Sequence, residues 1–450
     1  MSSKAPPQSD RIAESLRLYA RASQLIPGAT QLISRRPSQF ASGVSPIFAE
    51  RALGARFWDV DGNEYIDWAS GIRAIILGYA DPVVNEAVRE QLGRGTTYSV
   101  SHEVELELAE ELVRTIPCAE MVRYAKGGGE ACAVAVRIAR GVTGRDRILF
   151  CGYHGWHDWY LAANLAEEAN LSEHLFPGIE PIGVPKSLEG TAIPFPYGDT
   201  AALGERLDAH RGQVAAVMLE PMRSDFPPEG YLESVVQLAH DHGAIVIFDE
   251  VSTGFRLSPG GVQPVLGVEP DLAVFAKSLS NGHAMGAVVG RREVMEPVAR
   301  MFISSTNWSD TLGIRAALTT LREIRRRDVP AHLDKVGREL KEGVNRVADE
   351  SGLAVRCVGL NVAPSLRFDV EDPLLHRKVN TLYIQEMAKR GCHGHAAFVV
   401  NGATGPAELE QTFEAARETF ALIEQGLSTN RIDELLQCEL QQSVFRRLVQ

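Results

Sequence analysis

The sequence has little of what marks several protein classes. Its six cysteines form no CxxC pair and follow no regular spacing, which argues against a zinc site or a disulfide framework. No apolar run approaches the length of a membrane span. Basic residues are outnumbered, with a formal net charge of -12, whereas a nucleic acid or an anionic membrane would require a basic face. We therefore expect no bound metal, no nucleic acid and no membrane partner.

The beginning of the chain lacks the pattern of a secretory signal. The first ten residues, MSSKAPPQSD, are polar and no apolar segment follows them, although such a signal requires one. We expect a cytoplasmic protein with reduced cysteines. Its 450 residues, 45% of them hydrophobic, are enough for one large domain and a smaller one.

Short apolar segments alternate with helical patterns through the middle of the chain. Strands that are apolar along their whole length are buried on both faces of a sheet, so this pattern predicts an α/β domain with mostly parallel strands flanked by helices. The predicted strands are MVRYA from Met121, RILFC from Arg147, AAVML from Ala215, AIVIF from Ala244, LAVFA from Leu272 and AVVGR from Ala287.

We place this large domain at residues 71–325. Residues 1–70 contain an amphipathic helix and a hairpin with Asp61-Gly62 as its turn; we assign them to the small domain and the substrate site. Residues 326–428 predict a smaller α+β domain. Residues 429–450 predict a C-terminal amphipathic helix.

Polar residues follow the predicted strands, at the sheet edge where ligands of such domains bind. Lys277 follows LAVFA, and partial desolvation there favours the neutral, nucleophilic amine; a lysine that extends to solvent is the ordinary alternative. Asp249 follows AIVIF, and a buried carboxylate needs a cation or a donor, which a structural salt bridge would also provide.

The stretch YAKGGGEACAV, residues 124–134, places three glycines where a strand gives way to a helix. A helix N-terminus with glycines can bind an anion through its backbone N–H groups. An amine nucleophile, a buried carboxylate and an anion site together match one cofactor, pyridoxal 5'-phosphate (PLP).

Four segments resemble the class III aminotransferases, which are fold-type I PLP enzymes, and within them the glutamate-1-semialdehyde 2,1-aminomutase group. They are WDVDGNEYIDW (58–68), GYHGWHD (152–158), FDEVSTGFR (248–256) and FAKSLSNGHAMG (275–286). The resemblance implies the fold-type I architecture, PLP as cofactor, and a homodimer with its active sites at the subunit interface.

The resemblance also implies roles for single residues. Lys277 would form a Schiff base with PLP and carry a proton to and from the substrate. Asp249 would keep the ring nitrogen protonated. Tyr153 and Val251 would lie against the two faces of the ring, and Glu220 would lie near its phenolic oxygen. The phosphate would bind to the N–H groups of Gly128 and Gly129 and to Thr306 of the second subunit.

Three positions depart from the family pattern. The family has Ser-Gly-Ser/Thr in the glycine run, whereas this chain has Gly127 and Gly129 at the hydroxyl positions. We hypothesise that Lys126 compensates for the two missing hydrogen bonds; a solvated lysine beside a turn is the alternative. Asp225 stands where the aminomutase group has an asparagine near the ring oxygen.

Substrate residues are indicated in two segments. Arg35, or its neighbour Arg36, falls on the arginine that binds the substrate carboxylate in the aminomutase group, as an arginine fork would. His395 and His393, in GCHGHAAF (391–398), would line the pocket; a surface loop is the alternative, and a histidine metal pair lacks further ligands nearby.

The segment between Trp156 and Pro185 is longer and more apolar than the aminomutase lid. Its aromatic residues predict a pocket for a larger substrate or, equally, core packing; they are Trp156, Trp159, Tyr160 and Phe176.

Three functions remain open from the sequence. The first is a PLP-dependent aminotransferase that moves an amino group from an amino acid to a ketone or aldehyde through a pyridoxamine form. Alternatively it is an aminomutase, which exchanges the two groups within one molecule. The third possibility is a partner-binding protein that has lost the cofactor, against which Lys277 and Asp249 argue.

Overall fold

The computed structural model describes residues 10–166 and 180–442, and the chain forms two compact units. Within the described residues, unit 1 contains 10–81 and 331–442, and unit 2 contains 82–166 and 180–330. Within the two described ranges, none of the helices combines the length and the apolar character needed to cross a membrane.

The strands and helices are numbered in chain order. The strands are β1 Ala49–Leu53, β2 Arg56–Asp59, β3 Glu64–Asp67, β4 Met121–Ala125, β5 Arg147–Cys151, β6 Ala192–Pro194, β7 Val214–Leu219, β8 Ile245–Asp249, β9 Leu272–Phe275, β10 Gly286–Gly290, β11 Val355–Val358, β12 Ser365–Phe368 and β13 Cys392–His393. The helices are α1 Ala13–Leu25, α2 Pro82–Leu92, α3 Glu103–Thr115, α4 Gly128–Thr143, α5 Asp158–Leu161, α6 Ala163–Ala166, α7 Thr200–Ala209, α8 Tyr231–Asp241, α9 Gln263–Leu266, α10 Arg292–Met295, α11 Thr311–Arg326, α12 Val329–Ser351, α13 Pro373–Lys389, α14 Pro406–Ser428 and α15 Ile432–Leu435.

Unit 2 is built on a seven-stranded sheet in the order β4-β10-β9-β8-β7-β5-β6. Strands β5 to β9 run parallel, and β10 pairs antiparallel with both β9 and β4. The side chains of β7 and β9 are buried along the whole strand, as expected for a sheet covered on both faces. Helix α4 packs across the sheet through a face of small and branched apolar residues. The predicted α/β domain with a mostly parallel sheet is confirmed.

Unit 1 contains the predicted hairpin, in which β2 pairs antiparallel with β3. Gly62 has a φ of +85° at its turn, a conformation that glycine adopts without a steric penalty. The Asp59 carboxylate accepts hydrogen bonds from the backbone N–H groups of Asp61 and Asn63 and so closes the turn. β1 and β13 complete a four-stranded sheet, and β11 and β12 form a separate pair, as expected for a smaller α+β unit.

Two segments differ from the predicted boundaries. Residues 71–81 group with unit 1 rather than with the large domain, because Tyr79 forms a bridge with Gly54 and its hydroxyl donates to Asp67 Oδ2 at 2.5 Å. At the C-terminal end, the described part of 429–450 contains the four-residue helix α15 and then a non-helical segment. Side chains of α13 bind the backbone of that segment: Gln385 Oε1 accepts from the N–H of Gln437.

Candidate active site

The predicted cofactor residues of unit 2 follow the carboxyl ends of neighbouring strands. Asp249 is the last residue of β8, Lys277 comes two residues after β9, and Glu220 follows β7 directly. Tyr153 lies two residues beyond β5, and Gly128 begins α4 after β4. Parallel strands present their carboxyl ends at one edge of a sheet, so the topology collects residues that are far apart in sequence.

The Asp249 carboxylate is buried, with 4% of the residue exposed, and is held by three donors. Oδ2 lies 2.8 Å from His154 Nδ1 and accepts from Cys132 Sγ at 3.4 Å. Oδ1 accepts from the backbone N–H of Val251 at 2.9 Å. A buried carboxylate with this many donors has a fixed orientation.

Lys277 has an unusual backbone conformation at the end of its strand. Its φ is +47°, which costs a non-glycine residue free energy and is most often found at functional sites. The conformation begins the short 3-10 helix Lys277–Ser280, and the side-chain Nζ donates to Ser252 Oγ at 2.8 Å. The partly buried amine therefore contacts the loop that follows Asp249.

The three glycines at 127–129 differ in how much space surrounds them. A β-carbon at 128 would lie 2.7 Å from Val251 Cγ1, and one at 129 would lie 3.2 Å from the Cα of Gly155, whereas one at 127 would meet nothing within 4 Å. Close packing thus excludes a side chain at 128 and crowds one at 129. Gly127 offers no side chain to cap α4, so the first N–H groups of the helix remain suited to an anion.

Glu220 and Tyr153 lie on the β5 and β7 side of the site. Glu220 Oε2 accepts from the backbone N–H of Tyr153 at 3.4 Å and lies 3.8 Å from Arg223 Nε. A β-carbon on Gly152 would lie 2.8 Å from the same oxygen, so glycine is needed there for the approach. Burial raises the pKa of the Tyr153 hydroxyl, which therefore stays protonated at neutral pH.

The Lys126 side chain binds Asp310, which does not support its hypothesised role at the glycine run. Its Nζ donates to the backbone oxygen of Asp310 at 3.1 Å and forms an ion pair with Asp310 Oδ2 at 3.3 Å. Burial lowers the pKa of Lys126, and the Asp310 carboxylate opposes this effect. Because the amine is bound beside the start of α11, the geometry gives no support to compensation by Lys126 at the glycine run.

Four other predicted positions lie in unit 2. Thr306 begins the short 3-10 helix Thr306–Ser309 and is exposed, and Asp225 is exposed in the loop after β7. Trp159 and Tyr160 are buried in the core, and the Tyr160 hydroxyl donates to the backbone oxygen of Gly152 at 2.9 Å. These two rings therefore pack in the core rather than form a pocket wall. Phe176 lies outside the described residues.

The predicted substrate residues belong to unit 1. Arg35 ends the short 3-10 helix Ile33–Arg35. His395 stacks on Phe40 at a ring distance of 4.4 Å, and its Nδ1 lies 3.2 Å from Gln441 Nε2. Burial, followed by the neighbouring His393, lowers the pKa of His395 to about 4. His395 is thus a packed, neutral side chain and not part of an open surface loop.

Three residues of the site did not emerge from the sequence reasoning, although all three stand inside quoted segments. His154, in GYHGWHD, and Cys132, in YAKGGGEACAV, both bond Asp249 Oδ2. Cys132, His154 and Asp249 together have the donor set of a metal site. The histidine nitrogen and the cysteine sulfur are, however, both directed at one oxygen of the Asp249 carboxylate. Ser252, the partner of Lys277, lies in FDEVSTGFR.

A comparison with known families identifies the chain. Residues 39–404 match the family Aminotransferase class-III. The chain belongs to this family. A relative among curated proteins is the 3-aminobutyryl-CoA aminotransferase of Cloacimonas acidaminovorans, 34% identical over 428 residues, which cover 93% of this chain and 99% of the relative. Another is the glutamate-1-semialdehyde 2,1-aminomutase of Sulfurihydrogenibium azorense, 34% identical over 403 residues, covering 85% of this chain and 93% of the relative.

A solved structure that contains PLP has the same fold. The FumI protein of Sphingopyxis sp. MTA144, in its PLP internal aldimine form, aligns with a TM-score of 0.84 at 25% identity, covering 92% of this chain and 97% of that one. The predicted fold-type I architecture, the aminotransferase class and PLP as cofactor are confirmed. The residues present fit this cofactor, because a lysine amine, a buried carboxylate and a helix N-terminus without a side-chain cap meet at one sheet edge.

Proposed function

We propose that this class-III aminotransferase acts between two molecules and uses Lys277 and Asp249 as its catalytic residues. The observation that carries the proposal is the arrangement of the two side chains: the Lys277 amine donates to Ser252, three residues beyond the buried carboxylate of Asp249. When bound, PLP supplies the electron withdrawal that allows a substrate C–H bond next to the amino group to break.

The chain's own residues would divide the remaining work. The Lys277 amine would bond to the cofactor aldehyde and, once released by the donor's amine, would carry a proton at Nζ. Asp249 would hold a proton at the ring nitrogen, and its donors His154 and Cys132 would keep its carboxylate in place. Tyr153, with Val251 opposite, would exclude water from the ring faces, as the contact of Val251 with the glycine run supports.

The other proposed cofactor contacts concern the oxygen atoms of PLP. The backbone N–H groups of Gly128 and Gly129 would bind the phosphate, and Glu220 would lie near the phenolic oxygen. Thr306 from the second subunit of a homodimer would complete the phosphate site. Its exposure, and that of the neighbouring Phe302, which is 84% exposed, supports an interface there. We also propose a cytoplasmic location.

The substrate is proposed to carry a carboxylate, which Arg35 would bind, with His395 as a further wall of the site. Glutamate and alanine fit this description. The Cloacimonas relative, named for a 3-aminobutyryl-CoA substrate, adds a second chemistry, a β-amino acyl thioester. Both kinds of donor carry a primary amine beside a carbon that can lose a proton.

An aminomutase is the second candidate, because relatives at 34% identity bear that name. An aminomutase converts one substrate into its isomer and needs no second molecule. The exposed Asp225, where that group has asparagine, weakens this alternative, because the site would lack an amide that the group places near the ring oxygen.

One experiment separates the two candidates. PLP-loaded protein is mixed with single donors, namely glutamate, alanine, 3-aminobutyrate and 3-aminobutyryl-CoA, and in a separate sample with glutamate-1-semialdehyde. The products are measured by mass spectrometry. We expect one donor to release about one equivalent of its oxo product per PLP bound, and Lys277→Ala to release none. Isomerisation of glutamate-1-semialdehyde without any oxo product from the donors would instead establish the aminomutase.

A further inference from the structure

A histidine side chain lies where the glycine run lacks a hydroxyl. A β-carbon at position 129 would lie 3.3 Å from Nδ1 and 3.5 Å from Cε1 of His157. The imidazole therefore occupies the space into which a serine or threonine at 129 would extend. Residues far apart in sequence meet here, since His157 stands in the loop after β5 and Gly129 in the first turn of α4.

The loop backbone fixes the position of this ring. Gly155 has a φ of +103°, and a β-carbon on it would lie 2.6 Å from the Cα of Gly129, so only glycine allows the loop to contact the start of α4. The backbone oxygen of His157 accepts from the N–H of Tyr160 at 2.9 Å, and Trp156 stacks on the ring at 4.5 Å. The imidazole is thus placed against the helix N-terminus by both backbone and side-chain contacts.

His157 Nδ1 is shielded from solvent and has no hydrogen-bond partner within the described ranges. A buried nitrogen without a partner is destabilising, and a ligand that binds to it is one explanation for such an atom. The other side chain considered for this role, Lys126, is bound to Asp310. The orphaned nitrogen and the uncapped helix N-terminus both require an acceptor.

We propose that His157 Nδ1 donates a hydrogen bond to the cofactor phosphate and so replaces the hydroxyl that Gly129 lacks. The inference rests on the proposed phosphate site at the start of α4. Neutral imidazole with its proton on Nδ1 is sufficient for this bond. Burial lowers the pKa of His157, and the charges of Glu130 and Asp158 raise it; a phosphate dianion would act in the same direction as these carboxylates.

The test compares PLP with pyridoxal, which has the aldehyde but no phosphate. Dissociation constants of both are measured on the apoprotein by absorbance, for wild type, His157→Ala, His157→Asn and His157→Gln. We expect His157→Ala and His157→Gln to weaken PLP binding about tenfold to a hundredfold, the range of a bond to a charged group, with pyridoxal binding unchanged. His157→Asn places an amide near the Nδ1 position and should retain most of the affinity.

Further variants distinguish the loss of this hydrogen bond from misfolding. Gly129→Ser alone crowds His157, whereas Gly129→Ser with His157→Ala removes the ring from the path of the hydroxyl. Its β-carbon still lies 3.2 Å from the Cα of Gly155, so we expect the double variant to regain part of the PLP affinity that His157→Ala loses. His376→Ala, on α13, serves as a matched control. Equal loss of PLP and pyridoxal binding, or unchanged PLP binding in His157→Ala, would overturn the proposal. Failure of the wild type to bind PLP would instead refute the cofactor site itself.

Discussion

Two adjacent carboxylates at the end of β8 have opposite environments. Asp249 lies at the proposed cofactor site and accepts from His154, Cys132 and the N–H of Val251. Glu250 is fully buried on the other side, where it accepts from the N–H of Val262 at 2.7 Å and from Gln263 Nε2 at 3.0 Å. Successive side chains of a strand point to opposite faces, so the neighbouring carboxylates of Asp249 and Glu250 have different surroundings.

The two regions differ in what the carboxylate does for the protein. Burial raises the pKa of Glu250 to about 8; its hydrogen bonds with Val262 and Gln263 lower the pKa and the charge of Asp249 raises it, each by less than burial does. Glu250 is therefore mostly protonated at neutral pH and closes the loop from 250 to 263. Asp249 is oriented toward the site by its donors. The Asp-Glu motif therefore combines a proposed catalytic carboxylate, Asp249, with a structural one, Glu250.

The largest expected effect is on catalysis, in Asp249→Asn. An amide cannot hold a proton at the ring nitrogen, so we expect turnover with the active donor to fall by roughly two to four orders of magnitude, the scale of positioned proton-holding groups. The melting temperature should fall moderately, because the amide oxygen can still accept from Val251 but an amide N–H then faces His154 and Cys132. Turnover is therefore expressed per folded, PLP-bound molecule. A variant with near wild-type turnover would remove Asp249 from the catalytic residues.

The sequence predicted the central part of this site because of its strands. The apolar runs AIVIF and LAVFA end abruptly at Asp249 and Lys277, and a parallel sheet brings such ends together. The hairpin at Asp61-Gly62 was predictable for a similarly local reason, the turn preference of the dipeptide.

The contacts that were not predicted depend on loop paths. Gly155 must adopt a positive φ before His157 can approach Gly129, and no pattern in GYHGWHD specifies that path. The end of the chain shows the same limit: its apolar spacing suits a helix, but Gln385 binds the backbone of Gln437 in a non-helical segment. The partner that decides each conformation lies far away in sequence.

A smaller effect, on stability, is expected from Glu250→Ala. The change leaves the N–H of Val262 and Nε2 of Gln263 without their acceptor and opens a cavity, so the free energy of unfolding should fall by about 2–4 kcal/mol. Chemical denaturation measures this loss. The absorbance of bound PLP and the turnover per folded molecule should stay close to wild type, in contrast to Asp249→Asn. A selective loss of turnover would contradict the division between the two carboxylates.

The smallest expected effect is the change in stability per pH unit that comes from the titration of Glu250. Its pKa is about 8 in the folded chain against a reference value of 4.5, so between these values the folded state binds more protons than the unfolded state. Its contribution is complete below about pH 4.5 and is lost as pH rises toward 8, by at most about 1.4 kcal/mol per pH unit. Glu250→Gln cannot titrate, so its unfolding free energy should decline less than that of wild type between pH 5 and 8 in parallel denaturation curves. Identical slopes would mean that Glu250 is already ionised in the folded protein, and the two carboxylates would then differ in position but not in charge.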